Sequence, residues 1–174
     1  DSYSYASNSG SAIAKVAAIN RITSSSNVEA VVGTTDVAGS TMTSPGTGSS
    51  GTITINGVAI SITLATTSDY ATNRAAVVTA INLYSDQTGV TAVDNNSTTQ
   101  GVSLTASDGR NITIAFDGVN LTAAKTGVGA AGTYAGTYTL RSLDQTDIVI
   151  SSSVGGTLAN SDLARGTYAS NIAQ

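Results

Sequence analysis

The chain has 174 residues, room for one domain or two small ones, and carries a net charge of −4 with only 10% of its residues charged. Its seven Lys and Arg are spread thinly with no basic stripe, which argues against nucleic acid, and no apolar run approaches a membrane span. His and Cys are absent and Glu29 is the single glutamate, so zinc sites, Cys nucleophiles, His-based triads and disulfides are excluded.

Residues 1–9 are polar and turn-like, with a short strand expected at Tyr3–Tyr5. Ile13, Val16, Ala17 and Ile19 have the spacing of an amphipathic helix over 11–23, capped by Ser9 or Ser11. The Ser24–Ser26 run ends that helix, and 28–32 reads as a short buried strand. Residues 39–51 have the composition of a loop. Thr52–Val58 and Ala59–Leu64 alternate around Asn56-Gly57, a strong hairpin signal. A second helix is predicted over 72–84, capped by Ser68 or Asp69, and Thr88-Gly89 turns the chain into a strand at 90–94. After a loop at 95–100, Val102–Ala106 and Ile112–Phe116 flank Asp108-Gly109-Arg110 as a further hairpin. The Gly/Ala-rich stretch 127–136 reads as a connecting loop or irregular edge, 138–150 as a hairpin, and 153–174 as a polar tail holding a strand remnant.

Two internal echoes organise these elements. KVAAINRITSSSNVEAV (15–31) aligns without a gap on VVTAINLYSDQTGVTAV (77–93) at an offset of 62, with Ile19 on Ile81, Asn20 on Asn82 and Ala30 on Ala92. LTASDGRNITI (104–114) aligns on LRSLDQTDIVI (140–150) at an offset of 36, with Leu104 on Leu140 and Asp108 on Asp144. The expected architecture is α+β, in two related subdomains of antiparallel hairpins, each packed by one helix. Residues 1–51 with 133–174 form the first subdomain, and 52–132 form the second, inserted within it. This arrangement requires 28–32 to lie beside 138–150. Without Trp and with a single Phe, the core must come from aliphatic residues. The expected buried set is Ile13, Val16, Ile19, Val28, Val31, Ile53, Ile55, Ile62, Val78, Ile81, Val90, Leu104, Ile112, Ile114, Leu140, Ile148 and Ile150.

The residues offer little chemistry, and no catalytic, cofactor-binding or metal-binding residue is assigned. A Ser–Lys pair would need Lys15 or Lys125 beside a buried Ser. Asp144 and Asp147 flank a turn, where Asp side chains bond their own backbone. Asp94-Asn95-Asn96 and Asp108-Gly109-Arg110-Asn111 read as turns rather than as cation loops. Gly127–Gly132 lacks the preceding strand and following helix of a dinucleotide loop. Asn20 and Asn82 share one repeat position, where an amide caps backbone groups as helix passes to strand. Acceptor triplets for N-linked sugars start at Asn95, Asn96, Asn111 and Asn120.

The strings Ile55-Asn56-Gly57-Val58, Ala80-Ile81-Asn82, Thr88-Gly89-Val90-Thr91-Ala92 and Leu104-Thr105-Ala106 with Asp108-Gly109-Arg110-Asn111-Ile112 resemble the repeat in the central variable region of bacterial flagellins. Ser11–Asn20 is similar to the helix of the same motif, and the likeness covers most of 10–116 and, more weakly, 138–150. The long heptad-like terminal helices of flagellins are missing from this sequence. The resemblance therefore implies an excised outer domain, without catalysis or cofactor, facing solvent on an extracellular filament and variable among strains. Its partners would be other flagellin subunits, met through flanking helices, with glycans or antibodies at the surface and neither nucleic acid nor membrane. A cell-surface glycan-binding or adhesin module is the alternative, with Tyr3, Tyr5, Tyr134, Tyr138 and Tyr168 as stacking candidates.

Overall fold

The computed structural model describes residues 1–45, 49–65, 69–118, 120–152, 158, 161 and 163–169. Its strands pair antiparallel and its helices pack against them, an α+β fold. The hairpin of β3 (Ser50–Ile55) and β4 (Val58–Thr63) turns through Asn56 and Gly57 at φ 47° and 82°. Two successive left-handed residues are what the tight two-residue turn between twisted strands requires. Strand alternation then sends Ile53, Ile55, Ile60 and Ile62 inward, all 3% exposed or less.

Helix α3 (Tyr70–Asn82) follows, its first turn capped by the Asp69 carboxylate, which accepts from Thr72 N at 3.1 Å. Ser68, the other candidate cap, lies outside the described residues. Val77 and Ile81, one turn apart, reach 0% exposure on the face of α3 that packs against β4 and the strands at Thr91–Asp94 and Val102–Ala106. The helix stops at Asn82 instead of running to 84. The chain makes the single turn α4 (Ser85–Thr88), and Gly89 at φ 70° releases it into β5 (Thr91–Asp94).

The earlier stretch takes the same path. Helix α1 (Ala12–Asn20) is capped by Ser11, whose hydroxyl accepts from Ala14 N at 3.1 Å, and is followed by α2 (Thr23–Ser26) and β1 (Val28–Val32). Ser24–Ser26 thus forms a second helical turn where a helix end was expected. The backbones coincide at the offset of 62: Ile22 has φ −112° and ψ 11° against −110° and 15° for Tyr84. Asn27 takes the left-handed position of Gly89 at φ 52°, which an Asn tolerates better than most residues.

The later strands correct several expectations. β6 (Val102–Ala106) lies between β2 (Thr35–Val37) and β5, whereas β7 (Ile112–Phe116) lies between β3 and β8 (Gly132–Tyr134). Residues 102–116 are therefore no hairpin. The Asp108–Gly109 turn carries the chain from one sheet to the other. Both strands carry a full apolar face, and stacking them in separate layers buries Leu104, Ile112 and Ile114 in one core. Likewise 138–150 does not fold on itself: β9 (Tyr138–Ser142) pairs with β1, and β10 (Ile148–Ile150) pairs with β11 (Gly166–Tyr168).

The juxtaposition of 28–32 with 138–150 is met by β9, in the register Ala30↔Leu140. Past that pairing Gly33 N donates to Thr137 O at 2.8 Å and Thr137 N to Thr34 O at 3.2 Å, so the chain leaves and re-enters the first unit at neighbouring points. β2, on the first-subdomain side of the expected boundary, pairs with β6 of the second.

The 127–136 stretch is only partly loop. It follows the single turn α5 (Ala123–Thr126) and contains β8. Ser40 is tied to this stretch, since Gly127 O accepts from both Ser40 N at 2.8 Å and Val102 N at 2.9 Å. Tyr3–Tyr5 forms no strand, and a 3-10 turn follows at Asn8–Gly10. Of the expected core, Val31 is 45% exposed, and Ile13, Ile19, Val28, Val78, Leu140, Ile148 and Ile150 are half-buried. All but Val78 belong to the first unit.

Candidate functional site

The most repeated polar geometry is structural. Asn82 Nδ2 donates to Ala92 O at 3.0 Å while its Oδ1 accepts from Ala92 N at 2.7 Å. Asn20 makes the same pair of bonds to Ala30, at 3.0 and 2.8 Å. Each amide stands in for a neighbouring strand along an edge that would otherwise leave a peptide unpaired. Both side chains are occupied by backbone, as the repeat position suggested. A third amide, Asn56, does comparable work: its Oδ1 accepts from Thr113 N at 2.8 Å and its Nδ2 donates to Thr88 O at 2.9 Å, tying the β3–β4 turn to β7 and α4.

The carboxylates are spoken for in the same way. Asp144 accepts from Thr146 Oγ1 at 2.7 Å, Ser142 Oγ at 2.8 Å, Thr146 N at 3.1 Å and Asn27 Nδ2 at 2.9 Å. These donors, the Thr146 hydroxyl foremost, hold its pKa well below the ordinary carboxylate value. Asp108 accepts from Arg110 N at 3.1 Å and from Arg110 Nε at 2.8 Å. Partial burial pushes its pKa up, but the Arg110 bonds and charge outweigh that and leave it lowered. Both are turn carboxylates at matching repeat positions, each followed by a left-handed residue, Gly109 at φ 76° and Gln145 at φ 63°. Asp94 is the partner of Arg74, at 2.5 Å. No group of three acidic side chains able to hold a metal occurs among the described residues.

Sequence reasoning missed three contacts. The Arg74–Asp94 pair joins α3 to β5, with the Arg74 side chain only 6% exposed. Its signal was an arginine on the helix face that otherwise points inward. Asp36 accepts from Thr34 Oγ1 at 2.6 Å and Thr105 Oγ1 at 2.7 Å, which lowers its pKa, and nothing local pairs Asp36 with Thr105. Lys125 Nζ lies 3.3 Å from Ser49 Oγ, so one of the two candidate lysines does sit beside a buried serine. At 4% exposure Ser49 is out of reach of a carbonyl substrate, and the Lys125 ammonium also donates to Asn120 O at 3.0 Å. Lys15 is half-buried within α1.

The acceptor triplets divide by burial. Asn111 is 1% exposed and its Nδ2 donates to Ala6 O and Ser7 O, at 3.0 and 3.2 Å, so no sugar can be attached there. Asn96 and Asn120 are exposed, and Asn95 is half-buried. Gly127 ends α5 at φ 75° and its carbonyl is used by backbone, consistent with a connector rather than a phosphate cradle. Among the tyrosines, Tyr3 and Tyr5 are 62% and 64% exposed. The Tyr3 ring lies 5.8 Å from the Arg110 guanidinium, and Tyr5 packs on the turn at Gly57. Tyr134 and Tyr168 donate to Ala130 O and Ala164 O, Tyr138 to Ser161 O. A shallow groove of about 360 Å³ between the first residues and α1 is lined by Asp1, Tyr3, Ile13, Ala17 and Arg21.

No helix among the described residues is long and apolar enough to cross a membrane. No protein-family model matches the chain, and no curated protein sequence matches it significantly.

Proposed function

We propose that this chain is a non-catalytic, solvent-facing domain of a bacterial flagellar filament subunit, displayed outside the cell, whose task is shape and surface. One observation carries the reading: each flagellin-like string falls on a shape-determining feature. Ile55-Asn56-Gly57-Val58 makes the β3–β4 turn, and Ala80-Ile81-Asn82 ends α3 in the amide clamp. Thr88-Gly89-Val90-Thr91-Ala92 makes the left-handed exit into β5, and Asp108-Gly109-Arg110-Asn111-Ile112 the step between sheets. The reactive side chains found are engaged with backbone or with each other, which supports a structural role. Antibodies raised against the 174-residue chain should decorate intact filaments along their length, and excising the corresponding segment should leave filaments that still assemble. Label confined to the cell body, or a full reading frame without heptad-patterned helices on both sides, would end this proposal.

A second reading, a glycan-binding surface, has the exposed Tyr3 and Tyr5 and the groove beside α1 in its favour. Ring faces stack on sugars, and Arg21 and Asp1 supply polar groups. Binding on a glycan array that Tyr3→Ala removes would favour it over the first, and an array without signal would remove it.

A further inference from the structure

The chain holds two copies of one module, and among the described residues one copy lacks a part. The second module consists of α3, α4, β5, β6, β7 and β8; the first consists of α1, α2, β1, β9, β10 and β11. The correspondence extends to register. Ala92 pairs with Leu104 as Ala30 pairs with Leu140. Ile112, Thr113 and Ile114 face Tyr134, Thr133 and Gly132, as Ile148, Val149 and Ile150 face Tyr168, Thr167 and Gly166. Even the tyrosine hydroxyls agree, bonding the carbonyl four residues back at 2.9 and 3.0 Å.

The second module has one further component, the β3–β4 hairpin. β3 pairs with the edge of β7 that β8 leaves free, in the register Ile55↔Ile114, and β4 packs on α3. The equivalent edge of β10 carries no strand among the described residues. The difference in burial follows this gap. Ile81, Val90, Leu104 and Ile112 are 0% exposed and Ile114 2%, whereas their counterparts Ile19, Val28, Leu140, Ile148 and Ile150 are only half-buried. Val149 is 69% exposed. A two-stranded ribbon of three residues a side is marginal by itself in water.

We propose that the free edge of β10 and the adjoining face of α1 are a docking site for a β-hairpin of the β3–β4 kind. The occupant is uncharged, alternates aliphatic with Thr or Ser, and turns through a left-handed pair. It adds one strand to β10 by main-chain hydrogen bonding and lays the other on α1. The pattern is that of SGTITINGVAISIT (Ser50–Thr63), which holds no charged residue. The occupant is not β3–β4 of a second copy. That hairpin buries Ile53, Ile55, Ile60 and Ile62 in its own module, and lending it would uncover as much as it covers. This inference does not depend on the flagellar reading.

The test fuses a copy of Ser50–Leu64 through a short Gly/Ser linker ahead of Asp1 of the whole chain. The control fusion carries Ile53→Thr, Ile55→Thr, Ile60→Thr and Ile62→Thr in the added copy only, so the native modules stay intact. Amide hydrogen exchange of β10 and β11 is the readout, with β7 as internal reference. Protection of Val149 and Ile150 rising tenfold or more in the patterned fusion alone supports the proposal. Equal exchange in the two fusions overturns it. So does slow exchange of β10 in the unmodified chain, whether it tracks a concentration-dependent dimer, which would give the face to a second copy, or persists in the monomer, which would mean that the chain's own residues cover it.

Discussion

Replacing Asn82 by Ala tests the idea that side-chain amides hold this fold in register. The substitution deletes two hydrogen bonds, from Nδ2 to Ala92 O at 3.0 Å and to Oδ1 from Ala92 N at 2.7 Å. Each is worth about 0.5–1.5 kcal/mol net, for a loss of about 1–3 kcal/mol. Ala92 is 4% exposed, so water reaches the freed peptide poorly and the loss falls in the upper part of that range. Each 1.4 kcal/mol corresponds to about tenfold faster opening, read as exchange of the Ala92 amide, and with a urea slope of about 2 kcal/mol/M a loss of about 2–3 kcal/mol moves the midpoint by roughly 1–1.5 M. Asn20→Ala should cost a similar amount, because Ala30 is held by the same two bonds and is 3% exposed. The two losses should add within about 0.5 kcal/mol, since the clamps share no partner. Asn82→Asp should recover little at neutral pH, because a carboxylate keeps the acceptor but sets a negative oxygen against the Ala92 carbonyl. An Asn82→Ala chain with unchanged midpoint and unchanged Ala92 exchange would refute the reasoning.

The remaining predictions concern charge, backbone and acid. Asp94→Val alone leaves the Arg74 guanidinium buried without its partner and should cost about 3–5 kcal/mol in a denaturation curve, whereas adding Arg74→Ala should return most of that loss, because the first module carries Ala12 and Val32 at these two positions. Gly109→Ala forces a side chain onto a residue at φ 76° and puts its Cβ into Val32 Cγ1 and 2.5 Å from Gly33 O, so thermal unfolding should show a loss of about 1–3 kcal/mol, concentrated where the two modules meet. Asp36, Asp69, Asp108 and Asp144 all have lowered folded-state pKa values, so the stability they contribute is complete above the unfolded carboxylate value of about 3.9 and is lost as pH falls below it through the folded values. An acid titration followed by circular dichroism should therefore show a plateau above about pH 5 and a decline below about pH 4, and Asp36→Asn should flatten that decline.

Much of this was legible in the chain itself. Asn56-Gly57 between alternating runs could only be a tight hairpin turn, because the two left-handed residues and the period of two are local demands. The gapless match at an offset of 62 implied one backbone path used twice, and Ile22 with Tyr84, and Asn27 with Gly89, follow it. The shared Asn20 and Asn82 announced a common bond because an amide reaches its own neighbourhood.

Apart from β1 beside β9, which the repeat implied, pairing between distant strands was not legible. β6 and β7 have the length, alternation and turn of a hairpin, and only the availability of β2, β5, β3 and β8 as partners sends them into different sheets. Arg74 with Asp94, and Asp36 with Thr105, met for the same reason: the contact belongs to the packing of elements. Burial in the first module was the sharpest divergence, since Ile148 and Ile150 match Ile112 and Ile114 in pattern yet stay half-exposed. A strand's sequence fixes which face is apolar, because alternation is built into the backbone. Whether that face is covered depends on a second surface that the strand does not encode, and here tertiary structure supplied it to one module and not to the other.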